Sequence, residues 1–253
     1  MDVRVQGAVP PGPFLGARDL FEATHDLEKP VRVRVRDDPD ERTWAGHYDD
    51  HHVLNISRQA ATSIMARELA LHEYAHMHRH EEAHPSHTFD LREAVYLGLA
   101  GKSVERRVLH QCRQLANHAK DIYADDITLT VGPTDKLVTF LESELAASVA
   151  DNPRERRQGH RLTAGADPTM TAVNAAFAVA LLERHDLLDD DHRIYALAHA
   201  ASEDAPSVDV DWFRTRFKTL ATDVDESAYR RVLVDLVQAF VDAQDATARP
   251  AAD

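Results

Sequence analysis

Two periods of apolar residues divide the chain into a short β-rich beginning and a long helical remainder. From Val31 to Arg36 apolar and charged residues alternate, which is the pattern of a half-buried β-strand. Apolar runs at residues 43–48 and 53–56, separated by turn residues, predict two more strands. We therefore expect a small antiparallel sheet before the first long helix.

A helical period begins at Arg58 and continues to about His80, with Ser57 as its predicted N-cap. Its apolar residues cover most of the helix circumference, so this helix is expected to be mainly buried. The predicted fold class is α+β and mainly α. Further apolar stripes predict helices at about residues 91–100, 104–125, 134–150, 168–185, 189–202, 208–221 and 224–244.

A polar stretch without periodicity predicts the domain organisation. Residues 153–166 read as a loop or linker. We expect residues 1–152 to form one lobe with the sheet and the first helices. Residues 167–253 are expected to form a helical lobe packed on it.

The buried helix carries polar groups in a specific arrangement, His72-Glu73-Tyr74-Ala75-His76. Histidines four residues apart share one helix face at about 5–6 Å, so both rings can reach one ion, and HExxH is a zinc signature. Burying these groups without partners would be costly. The pattern therefore predicts Zn²⁺ bound by His72 and His76, with Glu73 as the base that activates a water.

A third ligand is expected from the helix at residues 104–125. The face opposite its apolar stripe carries Asn117, Asp121 and Asp125, and it is the only downstream helix face that offers carboxylates at ligand spacing. Asp121 is the predicted ligand, about 3–4 Å from a ring nitrogen of both histidines. His118 is the next alternative, followed by Asp125.

These residues resemble two known groups of proteins. Residues 121–125, Asp-Ile-Tyr-Ala-Asp, are similar to the ExxAD segment of gluzincin peptidases of the HtpX type, with Asp in the place of the ligand Glu. Residues 117–121 are similar to the NxAxD stretch that follows HExxH in predicted metallopeptidases associated with von Willebrand A domains. The resemblance covers about residues 50–127 and implies a zincin-like lobe. It makes Asp121 the third ligand and implies that Asp125 and Asn117 do not bind the ion but support the residues that do.

The charge of the chain indicates in which environment it folds and which kinds of partner it does not bind. The net charge is −14, with 28 Asp against 15 Glu and 24 Arg against only 5 Lys. This composition resembles that of haloarchaeal cytoplasmic proteins, and folding is expected to weaken below about 1 M salt, where screening is lost. No basic stripe favours nucleic acid. No run of about 18 apolar residues favours a membrane, and no signal peptide is apparent, so a cytoplasmic location is expected.

The expected function is that of a halophilic, zinc-dependent hydrolase, most simply a metallopeptidase acting on a peptide or protein. The alternative is a non-catalytic zinc-binding regulatory or scaffold protein. Tyr123, His110 and His160 are open candidates for stabilising the oxyanion. The histidines that follow the motif, His78, His80, His84 and His87, are expected to lie in a solvated loop. The sequence does not predict the oligomeric state.

Overall fold

A computed structural model describes residues 1–39, 41–151 and 167–248. Within these residues the protein is mainly helical α+β, as expected, with four strands and eleven helices. The strands are β1 (Val3–Gln6), β2 (Val31–Arg36), β3 (Trp44–His47) and β4 (His52–Ser57). The helices are α1 (Gly12–Phe21), α2 (Arg58–Ala61), α3 (Ala66–Glu81), α4 (Pro85–Thr88), α5 (Leu91–Gly98), α6 (Arg106–Val131), α7 (Asp135–Ala150), α8 (Pro168–Arg184), α9 (Arg193–Asp204), α10 (Val210–Lys218) and α11 (Glu226–Ala248).

The sheet is mixed, so the prediction of an antiparallel sheet is wrong. Its strand order is β1-β2-β4-β3, and only the pair β3–β4 is antiparallel. β1, which the sequence pattern did not predict, pairs parallel with β2 because α1 returns the chain between them. The hairpin of β3 and β4 reverses the chain and places β4 beside β2, so these two strands are also parallel. β3 consequently forms a free edge of the sheet.

The long helix predicted from Arg58 is broken into two. Ser57 caps α2 as expected, and its hydroxyl accepts a hydrogen bond from the Ala60 backbone N–H. The hydroxyls of Thr62 and Ser63 then donate to backbone carbonyls of the preceding turn, which competes with helix continuation. Ile64, assigned to the buried face by the sequence pattern, is 82 % exposed in this break.

The chain forms two compact units. One comprises residues 1–88 and 120–137, and the other comprises residues 89–119 and 138–253. The first half of α6, residues 106–119, therefore belongs to the second unit, and its second half, residues 120–131, belongs to the first. The predicted linker, residues 153–166, lies outside the described residues, and the predicted lobe boundary stays a prediction. No helix in the described ranges is long and apolar enough to cross a membrane.

α3 is the central helix of the first unit. Ala70, Tyr74 and Met77 are fully buried on it. Tyr74 packs edge-on against Phe21 of α1, and its hydroxyl donates to the Phe14 carbonyl at 3.2 Å. These contacts fix α3 against α1, which leaves the remaining face of α3 to carry the polar residues of the motif.

The second unit is built around α8, which is buried on nearly all of its faces from Met170 to Leu182. Asp167 caps this helix, as the sequence predicts, by accepting from the backbone N–H groups of Thr169 and Met170. In the same unit α5 packs tightly on α11. A Cβ atom at Gly98 would lie 2.6 Å from Val237 Cγ1 and 2.8 Å from Val237 Cβ.

We expect Gly98→Ala to destabilise the protein by about 1–3 kcal/mol, because overpacking forces the two helices apart. The Cβ of Val237 is fixed by its backbone, so a rotamer change does not relieve the contact. Gly12→Ala is the matched control, since nothing lies within 4 Å of a Cβ at Gly12. Urea unfolding of the three proteins measures the difference, and equal midpoints would refute the close packing.

Candidate metal centre

Three side chains from two helices converge in the first unit. His72 and His76 stand one turn apart on α3, and their Nε2 atoms are 2.9 Å from each other. Asp121 of α6 approaches from the other side, with its Oδ1 3.4 Å from His76 Nε2. One ligand atom from each residue lies within 4.8 Å of the others. These three residues form a group that could hold a metal ion.

The distances follow the expectation from the sequence in part. The Asp121–His76 distance falls in the expected interval of about 3–4 Å for ligands that share one ion. The ligand atoms of Asp121 and His72 lie within 4.8 Å of each other, which is the limit that holds for every pair in the group. Asp125 lies where the sequence analysis expects it, with its Oδ1 2.6 Å from His72 Nδ1.

Asp125 orients the ring of His72. A carboxylate accepts hydrogen bonds, so the His72 hydrogen lies on Nδ1 and points at Asp125. In the neutral ring Nε2 is then left with a bare lone pair that faces His76. Burial lowers the pKa of His72, but Asp125 and the neighbouring carboxylates outweigh it and raise the pKa to about 10. The site therefore attracts positive charge.

A chain of polar groups orients the ring of His76. Its Nδ1 lies 2.7 Å from His87 Nε2, and His87 Nδ1 lies 2.7 Å from the Ser86 hydroxyl. The Ser86 hydroxyl lies 2.7 Å from His84 Nδ1, which also accepts from the Ser86 backbone N–H. An accepting nitrogen carries no hydrogen.

The backbone N–H of Ser86 therefore sets the direction of the whole chain. The Ser86 hydroxyl must donate to His84, His87 Nδ1–H must donate to that hydroxyl, and His76 Nδ1–H must donate to His87 Nε2. Burial lowers the pKa of His76 and of His87, which favours the neutral rings that this pattern requires. His76 Nε2 is thus a bare acceptor, and in the metal-free protein it faces His72 Nε2, on which the raised pKa of His72 keeps a hydrogen. A metal ion would replace this hydrogen and would meet two lone pairs and a carboxylate oxygen.

A neighbouring histidine pair shows the contrast. His47 Nδ1 and His52 Nδ1 are 3.1 Å apart, and His52 Nε2 lies 3.0 Å from Glu81 Oε1. Because Glu81 also accepts from two backbone N–H groups, it takes the His52 hydrogen on Nε2. A single hydrogen on His47 Nδ1 then satisfies both rings. Hydrogens alone satisfy this pair, and it differs from the His72–His76 pair, which has the Asp121 carboxylate beside it as a third possible metal ligand.

Glu73 lies beside the three ligand atoms and is 5 % exposed. Burial raises the pKa of Glu73 to about 7, and the charge on Asp121 acts in the same direction. A hydrogen bond from the Ala45 backbone in β3 opposes this rise. Glu73 therefore faces the free edge of the sheet, and its carboxyl group is poised to exchange a proton near neutral pH.

The group is partly accessible to solvent. The side chains of His72 and Asp121 are 25 % and 29 % exposed, while that of His76 is 10 % exposed. In the described part of the chain no fourth His, Cys, Asp or Glu completes the group.

Other residues considered in the sequence analysis lie in different surroundings. His118, the alternative third ligand, belongs to the second unit, where its ring stacks on Phe177 and bonds to Asn174. Asn117 is exposed, and its predicted supporting role stays a prediction. Among the oxyanion candidates, Tyr123 is fully buried and His110 is exposed in the second unit. His160 lies outside the described residues.

The structure adds three residues that the sequence analysis did not assign to the site. His87 and His84, expected in a solvated loop, belong to a partly buried chain of hydrogen-bonding groups behind His76. Lys120 is half-buried, and its ammonium group interacts electrostatically with Asp121 and Glu73. Burial lowers the pKa of Lys120, and the two carboxylates oppose this change. Its position next to Asp121 in the sequence was the one signal that could have identified it.

Comparison with known proteins places the chain in a family. A family model described as "Family of unknown function (DUF5781)" matches residues 1–242. The chain belongs to this family. Searches of curated proteins and of solved structures gave no significant match. The site must therefore be interpreted from its own geometry.

Proposed function

We propose that this protein is a zinc-dependent hydrolase of the zincin type, most simply a peptidase, with His72, His76 and Asp121 as ligands. The observation that carries the proposal is the convergence of two imidazole Nε2 atoms and a carboxylate oxygen at distances that one metal ion could bridge. Two histidines and one carboxylate with an open side match the ligand set of hydrolytic zinc sites. Zinc held there would act as a Lewis acid toward water and a carbonyl group.

Glu73 supplies the acid–base chemistry in this proposal. Its carboxylate takes a proton from the attacking water and returns it to the leaving amine. A pKa near neutrality suits both steps, and burial provides it. A purely structural metal site has no use for a buried glutamate beside its ligands.

The free edge of β3 supports a peptide as substrate. The Tyr48 N–H donates to the His51 carbonyl, so Tyr48 and His51 form a hydrogen-bonded pair. Along an antiparallel ladder such pairs alternate with pairs that share no hydrogen bond. The pair Ala45–Leu54 is therefore a non-bonded one, and the Ala45 backbone groups point away from β4, toward Glu73. An extended peptide that pairs with this edge would have its backbone beside the catalytic group.

Lys120 is the cation that would act on the developing negative charge. Its ammonium group interacts with both Glu73 and Asp121, so its field extends over the position where the carbonyl oxygen would lie. Fixed charges in partly buried sites stabilise such oxyanions strongly. In this proposal Lys120 takes the role for which Tyr123, His110 and His160 are the candidates from the sequence.

The proposal is tested by supplying zinc-loaded protein, in molar KCl, with an unfolded protein and a peptide library. Mass spectrometry of the new termini is expected to show cleavage, which a chelator abolishes and added zinc restores. Intact substrates at full zinc loading would reject the peptidase. They would favour the non-catalytic alternative, a zinc-binding regulatory or scaffold protein.

A further inference from the structure

The segment after α3 folds back onto the candidate centre. Ala83 has a positive φ of 52°, and the His84 N–H donates to the Arg79 carbonyl at 2.9 Å, which closes the end of the helix. This reversal brings α4 alongside α3. Ser86 is 1 % exposed and His87 reaches the back of His76. The segment is therefore ordered against α3 and partly buried, and it is not a solvated loop.

The two candidate histidine ligands have different supports. His72 is held by the Asp125 carboxylate at 2.6 Å. His76 is held by a neutral ring, His87, whose orientation depends on a serine and ultimately on a backbone N–H. Outer partners of this kind fix the tautomer and the ring plane of a metal ligand.

We propose that His87 is a positioning residue for the metal centre, and that Ser86 and His84 lock it in the tautomer that leaves His76 Nε2 bare. His87 does not touch the ion; it acts through His76. The inference rests on the proposed metal centre and adds the second of its two outer supports. It assigns a role to the histidine-rich segment that follows the motif.

The experiment measures zinc and cobalt affinity of the full chain in molar KCl, by competition with a chromophoric chelator. His87→Leu is expected to weaken binding about 10–100-fold, the usual effect of losing an outer partner. His87→Gln keeps an acceptor for His76 Nδ1–H and is expected to bind more tightly than the leucine variant. Ser86→Ala removes the link to His84 and should give an intermediate loss.

Two further readouts separate positioning from a merely structural role. The cobalt absorption bands report ligand geometry and are expected to shift in His87→Leu. ¹⁵N NMR of the metal-free protein is expected to show His76 protonated on Nδ1, with mixed tautomers in the leucine variant. His199→Leu is the control, because the His199 side chain is 77 % exposed in the second unit.

Three results would overturn the inference. The first is unchanged affinity in His87→Leu, even if the variant is less stable. The second is an equal loss in His87→Leu and His87→Gln, since only leucine lacks an acceptor. The third is failure of the unaltered protein to bind either ion. Only this last result would also reject the proposed function, so the two failures are distinguishable.

Discussion

Replacing Glu73 by Gln is expected to reduce hydrolysis by about 10²–10⁴-fold while leaving about one zinc per chain, because general acid–base catalysis contributes about that factor. The amide keeps the shape of the side chain but does not accept a proton from water. Glu73 is not in the group of three ligand atoms, so its charge is not needed to hold the ion. Peptide cleavage and metal content, measured on the same samples, test the two parts of this result.

Glu82→Gln is the matched control for this substitution. Glu82 is the C-cap residue that follows α3, its side chain is 43 % exposed, and it pairs with His78 and Arg79. Its loss is expected to leave cleavage and zinc content unchanged. If Glu73→Gln lost the metal together with the activity, Glu73 would be a ligand and its assignment as the base would be wrong.

Removing a ligand is expected to affect metal binding more than removing an outer partner. His76→Ala deletes a nitrogen that faces both other members of the group. Asp125→Asn leaves all three ligand atoms and weakens only the orientation of His72, so a loss of about 10–100-fold is expected. His76→Ala should exceed this loss and give protein purified without zinc. Equilibrium dialysis followed by elemental analysis measures both effects.

Asp121→Asn tests the carboxylate ligand of the proposed centre. An amide oxygen is a weaker zinc ligand than a carboxylate. The zinc affinity of the Asp121→Asn protein is therefore expected to be lower than that of the Asp125→Asn protein. Circular dichroism of each variant in molar KCl shows whether the fold is retained. Zinc binding by a folded Asp121→Asn protein with unaltered affinity would remove Asp121 from the ligand set.

The metal group is predictable from the sequence because it depends mostly on helix geometry. Spacing of four residues on one buried helix brings His72 and His76 together whatever surrounds them. Asp121 and Asp125 are also four apart, and each reaches one of the two rings. The mainly helical class follows equally from apolar periodicity over long segments.

Features that depend on chain reversals were not predicted. The role of His87 requires the turn at Ala83, where a single positive φ redirects the chain onto α3. The parallel pairing of β1 with β2 depends on how α1 packs, which a four-residue strand does not reveal. The break before α3 arises from hydroxyl side chains that compete with the backbone, an effect that apolar patterns do not report.

The most direct test of the metal centre is anomalous diffraction at the zinc absorption edge, from crystals of the zinc-loaded protein. The account predicts one peak about 2.0–2.2 Å from the Nε2 atoms of His72 and His76 and from an Asp121 oxygen, as zinc coordination requires. Both Nδ1 atoms should still face Asp125 and His87. No peak at this position in zinc-loaded crystals, or a peak between His47 and His52 instead, would contradict the account.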